Sequence, residues 1–144
     1  MRKGDARAPR RDTGSMTTLR ATFTVALTPA ADLPGAADRF DLAKTWQGAL
    51  AGTSRGVMLT AGDPATGSAS YVATETFEGT LDGLSGTIAL QQLGTMDGGD
   101  PQLHYVIAPG SGTGELTGVT GTLTIGTIDD DGVHEVTLEV TRPS

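Results

Sequence analysis

The chain has 144 residues, a formal net charge of −7, 21 glycines, no cysteine and only 4% aromatic residues. One domain fits that length, no run approaches the roughly 20 apolar residues of a membrane span, and disulfides, thiol catalysis and cysteine metal sites are excluded. The acidic balance argues against nucleic acid as a partner, because phosphate binding needs a basic face.

The charge is unevenly spread. Residues 1–15 carry five basic and two acidic side chains, whereas the chain from Met16 onward carries 5 basic against 15 acidic, a charge of −10. The leader has no apolar run and so lacks the core of a secretion signal. Residues 1–16 are expected to be a disordered arm or the product of an upstream start, followed by a single domain over 17–144 in the cytoplasm. Lysine occurs only at Lys3 and Lys44. Arginine over lysine, with abundant Ala, Gly, Thr and Asp, suggests a high-GC bacterium.

From residue 17 onward, apolar residues recur with period 2. Leu19, Ala21, Phe23, Val25 and Leu27 share one face of the first run. The segment 28–40 is the longest loop, with room for one helical turn. Phe40, Leu42, Lys44, Trp46, Gly48 and Leu50 align in a second run, and a short third strand is expected over 55–61. Tyr71, Ala73, Glu75, Phe77, Gly79 and Leu81 align next, then Ile88, Leu90, Gln92 and Met96. Leu103, Tyr105 and Ile107 form a sixth run, Leu116, Leu123 and Ile125 a seventh, and His134, Val136, Leu138 and Val140 an eighth. Gly, Pro and Asp clusters separate the runs, as turns require.

The pattern Gly-x-Leu-x-Gly occurs at 48–52, 79–83 and 114–118. Each copy is expected to end one strand and begin the next, with its glycines permitting sharp bends. Eight antiparallel strands in this length predict an all-β fold, an eight-stranded antiparallel β-barrel, which leaves no exposed edge. Such a barrel is just wide enough to be filled by side chains or to hold one small ligand.

The stretch SGTGELTGVTGTLTI (111–125), with YVATETFEGTLDGLSGTIALQQLGTM (71–96) and DGVHEVTLEV (131–140), resembles a bacterial family of unknown function whose members adopt an allene-oxide-cyclase-like β-barrel. The resemblance implies that fold across almost the whole domain. The wider superfamily includes a plant cyclase that closes an unstable epoxide without a cofactor, and small bacterial cyclases. A shared barrel does not carry those reactions over. This chain departs from the family at Gln92, where a histidine is common, and at Val136 and Val140, where tyrosine is common.

Polar residues in register with the apolar set must point inward. Lys44, Glu75, Gln92 and His134 do so, and each needs a partner or water. Glu75 and His134 are the candidate catalytic pair. A carboxylate in an apolar barrel is a general acid or base, or a stabiliser of positive charge when held ionised beside a cation. A histidine shuttles protons near neutral pH. Lys44, Trp46, Tyr71, Gln92 and Tyr105 are the candidate ligand-binding residues. The bland alternative is a satisfied polar network that plugs the barrel. His104 falls on the outer face. No metal or cofactor is expected: the histidine spacing is wrong for a metal, and the segments 97–100 and 129–132 read as turns.

Two functions fit these residues. One is a barrel binding a small hydrophobic or amphipathic molecule, in its enzymatic form a cofactor-free isomerase or cyclase. The other is a plugged barrel acting as an oligomeric structural or interaction module. A void of roughly 300 Å³ or more separates them. A salt-sensitive homodimer is expected, since two-fold closure is commonest and like charge opposes association. Neither nucleic acid nor membrane is expected as a partner.

Overall fold

The alternating runs become strands because alternation buries one face of each against a shared interior. The computed structural model describes residues 15–143. The strands are β1 (Ser15–Pro29), β2 (Arg39–Gly48), β3 (Leu50–Asp63), β4 (Ser68–Leu81), β5 (Leu84–Asp97), β6 (Asp100–Ile107), β7 (Thr120–Ile128) and β8 (His134–Arg142). Each pairs antiparallel with the next, and β8 returns to β1, so the sheet is a closed eight-stranded barrel. Phe23 lies opposite both Trp46 and His134 in the register, and Gln92 lies opposite both Ala73 and Tyr105. No helix among the described residues is long and apolar enough to cross a membrane.

Four local expectations are corrected. Strand β1 begins at Ser15, opposite Arg142, so Ser15 and Met16 belong to the sheet; the expectation for the rest of the leader lies outside the described residues. Strand β3 runs over 50–63 rather than 55–61, because ladder pairing on both sides overrides the weak strand preference of Gly52 and Gly56. The segment after β1 holds a tight turn, Ala36 N–H to Leu33 carbonyl at 3.2 Å, and no helix. Leu116 sits in a 3-10 turn, Gly114–Leu116, and not in a strand.

The glycine repeat closes one end of the barrel. Its three leucines, Leu50, Leu81 and Leu116, are fully buried in the one core cluster. Gly52 and Gly79 face each other across β3 and β4 with φ of 147° and 154°. A Cβ on Gly52 would meet the Glu78 carbonyl at 2.2 Å, so the close approach of these strands requires glycine. Phe77, Ile88, Leu90 and Leu138 fill the interior above this end. The opposite end is bounded by the β1–β2, β3–β4, β5–β6 and β7–β8 connections, and it is open.

Candidate functional site

Parity correctly separates the two faces. Glu75 is 2% exposed and Lys44 5%, while Glu78, Glu135, Glu139 and His104 are exposed on the outer wall. Lys44 on β2 and Glu75 on β4 flank β3, which offers only Ser54 and Gly56 to the interior at this level. Two long side chains therefore meet over small ones. Lys44 Nζ donates to Glu75 Oε2 and to the Tyr105 hydroxyl, both at 2.8 Å. Tyr105 donates to the same Glu75 oxygen at 3.2 Å, and Ser54 Oγ donates to Glu75 Oε1 at 2.6 Å. Trp46 Nε1 donates to Ser54 Oγ at 3.0 Å.

The ammonium also lies 4.4 Å from the Phe23 ring centroid and 5.0 Å from that of Tyr105, within cation–π range. Burial pushes the Lys44 ammonium below the ordinary lysine value, and the Glu75 carboxylate offsets part of that. Burial raises the Tyr105 phenol far above its ordinary value, and the charge of Glu75 raises it further. The cluster is thus a net-neutral network in which every charged group is matched, as buried charge requires.

Tyr71, Gln92 and His134 stand apart from this cluster. The Tyr71 hydroxyl donates to Gln92 Oε1 at 2.8 Å. Its ring lies across Gly94, where a Cβ would come within 2.3 Å of it. Burial raises the Tyr71 phenol, with Glu75 as the second cause. His134 is half-buried at the open end of β8 and stacks on Phe23, centroids 4.4 Å apart and planes 12° apart. Its Nδ1 lies 3.1 Å from the Gly132 carbonyl. Glu75 and His134 are therefore not hydrogen-bonded to each other; Phe23 stands between His134 and the Lys44 ammonium.

Above Tyr71 the barrel opens into a cavity of about 710 Å³. Phe40, Met58, Tyr71, Met96, Leu103 and Ile125 supply its apolar lining, and Asp38 and Thr60 its rim. Tyr71 is the one sequence-predicted residue among those lining it. Sequence reasoning missed Ser54, because it lay outside the strand expected there; its even spacing from Gly56 and Met58 was the available signal. It also missed the cavity-lining Met58 and Leu103, which look like ordinary core residues. The segment 129–132 is a turn: Asp129 Oδ1 accepts the backbone N–H of Asp131 and of Val133, both at 2.9 Å.

The comparison with curated proteins found no match. A crystal structure of a protein of unknown function from the DUF3224 family, from Shewanella oneidensis MR-1, is similar at 37% identity and a TM-score of 0.81, covering 90% of this chain and 100% of that one. The family model described as "Protein of unknown function (DUF3224)" matches residues 19–140. With a family match across nearly the whole barrel, this chain belongs to the DUF3224 family.

Proposed function

We propose that this protein binds a small, largely apolar molecule in the open end of its barrel. The observation that carries the reading is the cavity of about 710 Å³ lined by Phe40, Met58, Tyr71 and Leu103, within the size range of small-molecule sites. The Lys44–Glu75–Tyr105–Ser54 network lies deeper in the barrel, and Tyr71, Thr60 and Asp38 are among the polar groups that line the cavity. In an isomerase or cyclase form of this function, Tyr71 meets the substrate, and Glu75 acts from below through its charge.

Titration with the neutral dye N-phenyl-1-naphthylamine tests the reading. Its fluorescence is expected to rise and saturate at one dye per chain. Met58→Trp, which fills the cavity, is expected to weaken binding at least tenfold while circular dichroism keeps the β spectrum. Unsaturable binding, or equal affinity in a folded Met58→Trp variant, overturns it.

A homodimer is a second proposal with its own support. On the outer wall, Leu59, Val72, Leu93 and His104 form one cross-strand row, and Val57 and Val106 end the next. Val72 is 49% and Leu93 41% exposed. Neither of these rows carries a carboxylate from β3 to β6, in a domain of charge −10. A second copy meets the least repulsion at this face.

A further inference from the structure

We infer that the cavity selects its ligand by charge: an apolar body carrying a positive charge, with an uncharged molecule accepted and an anion rejected. The inference rests on the binding function proposed above and concerns the chemistry of the end that surrounds the cavity. Even-numbered strands begin and odd-numbered strands end there, so four connections form its rim. Asp32 and Asp38 lie on the β1–β2 loop, and Asp63 at the β3–β4 turn. Asp97 and Asp100 flank the β5–β6 turn, and residues 129–131 of the β7–β8 turn are all aspartate. The four connections contain no lysine or arginine.

Neither basic side chain of β2 lines the cavity. Arg39 Nη2 lies 3.4 Å from Asp41 Oδ1 on strand β2, and Lys44 is taken up by Glu75 and Tyr105 beneath the cavity. Of the residues lining the cavity only Asp38 is charged. A rim of one sign over an apolar pocket focuses its field into the opening. An amine head at that rim leaves its apolar body among Phe40, Met58, Met96 and Leu103. A carboxylate head in the same place meets like charge and finds no free cation deeper in.

Displacement of bound N-phenyl-1-naphthylamine by dodecylamine, dodecanol and dodecanoate, each below its micelle or solubility limit, tests this. The three share one chain and differ in head charge. The expected order is amine, then alcohol, then carboxylate, with at least tenfold between the first and last at low salt. The gap is expected to shrink at high salt, as screening requires. Asp38→Lys is expected to narrow it further, while Met58→Trp is expected to lose displacement by all three. Dodecanoate displacing the dye as well as dodecylamine does overturns the charge selection and leaves the binding function standing. Failure of the dye itself to bind overturns the binding function.

Discussion

Replacing Lys44 with methionine keeps the length of its stem and removes its charge. In the native protein the ammonium lies 2.8 Å from Glu75 Oε2, an attraction of about 6 kcal/mol at an effective dielectric near 20. The variant loses that term but keeps the Ser54 and Tyr105 donors on the carboxylate, each worth about 2 kcal/mol in a charge-assisted bond. Breaking a buried pair costs about 3–5 kcal/mol, and the donors that remain on the carboxylate place this variant near the low end, about 3 kcal/mol at pH 7. The melting temperature should fall by on the order of 10 °C. Glu75 is then a buried carboxylate without a cation, and Lys44→Met with Glu75→Gln, which removes the unpaired charge, should recover part of the loss. Urea unfolding followed by fluorescence of Trp46, the one tryptophan, measures all three. A cost under about 1 kcal/mol, or no recovery in the double variant, refutes the claim that this pair is a tightly desolvated unit.

Tyr71 and Tyr105 are the two tyrosines, and burial first, with Glu75 second, raises both phenols. Their stabilising contribution is complete below about pH 10 and is lost as pH rises beyond it. Lys44, lowered, works the other way as pH approaches its unfolded value, but it is one group against two. Tyrosinate absorbance should thus appear together with unfolding, and a tyrosine ionising near pH 10 in the folded protein contradicts the burial assigned to it. Gly94→Ala drives a Cβ into the Tyr71 ring. It should cost about 1–2 kcal/mol of stability and change dye affinity, whereas unchanged affinity would show that Tyr71 does not border the ligand. Val72→Glu with Leu93→Glu should abolish the dimer at high salt in light scattering, and a wild-type monomer at high concentration and high salt refutes the dimer outright.

The barrel was legible because a strand's period of 2 ties each residue to one face. Leu19 through Leu27, Phe40 through Trp46 and Val136 through Val140 needed nothing more than counting to be assigned. The same counting put Lys44 and Glu75 inside, but not together. Their meeting depends on β3 lying between them and presenting Ser54 and Gly56, which is knowledge of register and closure. His134 shows the other limit. Its ring points inward as alternation requires, stacked on Phe23 directly opposite in the register, but its height at the open end, away from Glu75, is not readable from alternation. Leu116 shared its Gly-x-Leu-x-Gly setting with two strand leucines but buries itself from a 3-10 turn, because burial of that leucine and not strand geometry is what the three copies have in common. The cavity was invisible for a related reason. It exists where Gly94 lets Tyr71 lie flat and where Met58 and Leu103 stop short of filling the end, and neither fact has a periodicity.

The open end of this barrel is the proposed ligand site. A crystal of the protein soaked with 1-bromonaphthalene tests it most directly, since the anomalous signal of bromine locates the molecule. A peak is expected between Phe40, Met58, Tyr71 and Leu103. A peak only on the outer wall over Val72 and Leu93, or no peak at a concentration that saturates dye displacement, contradicts it.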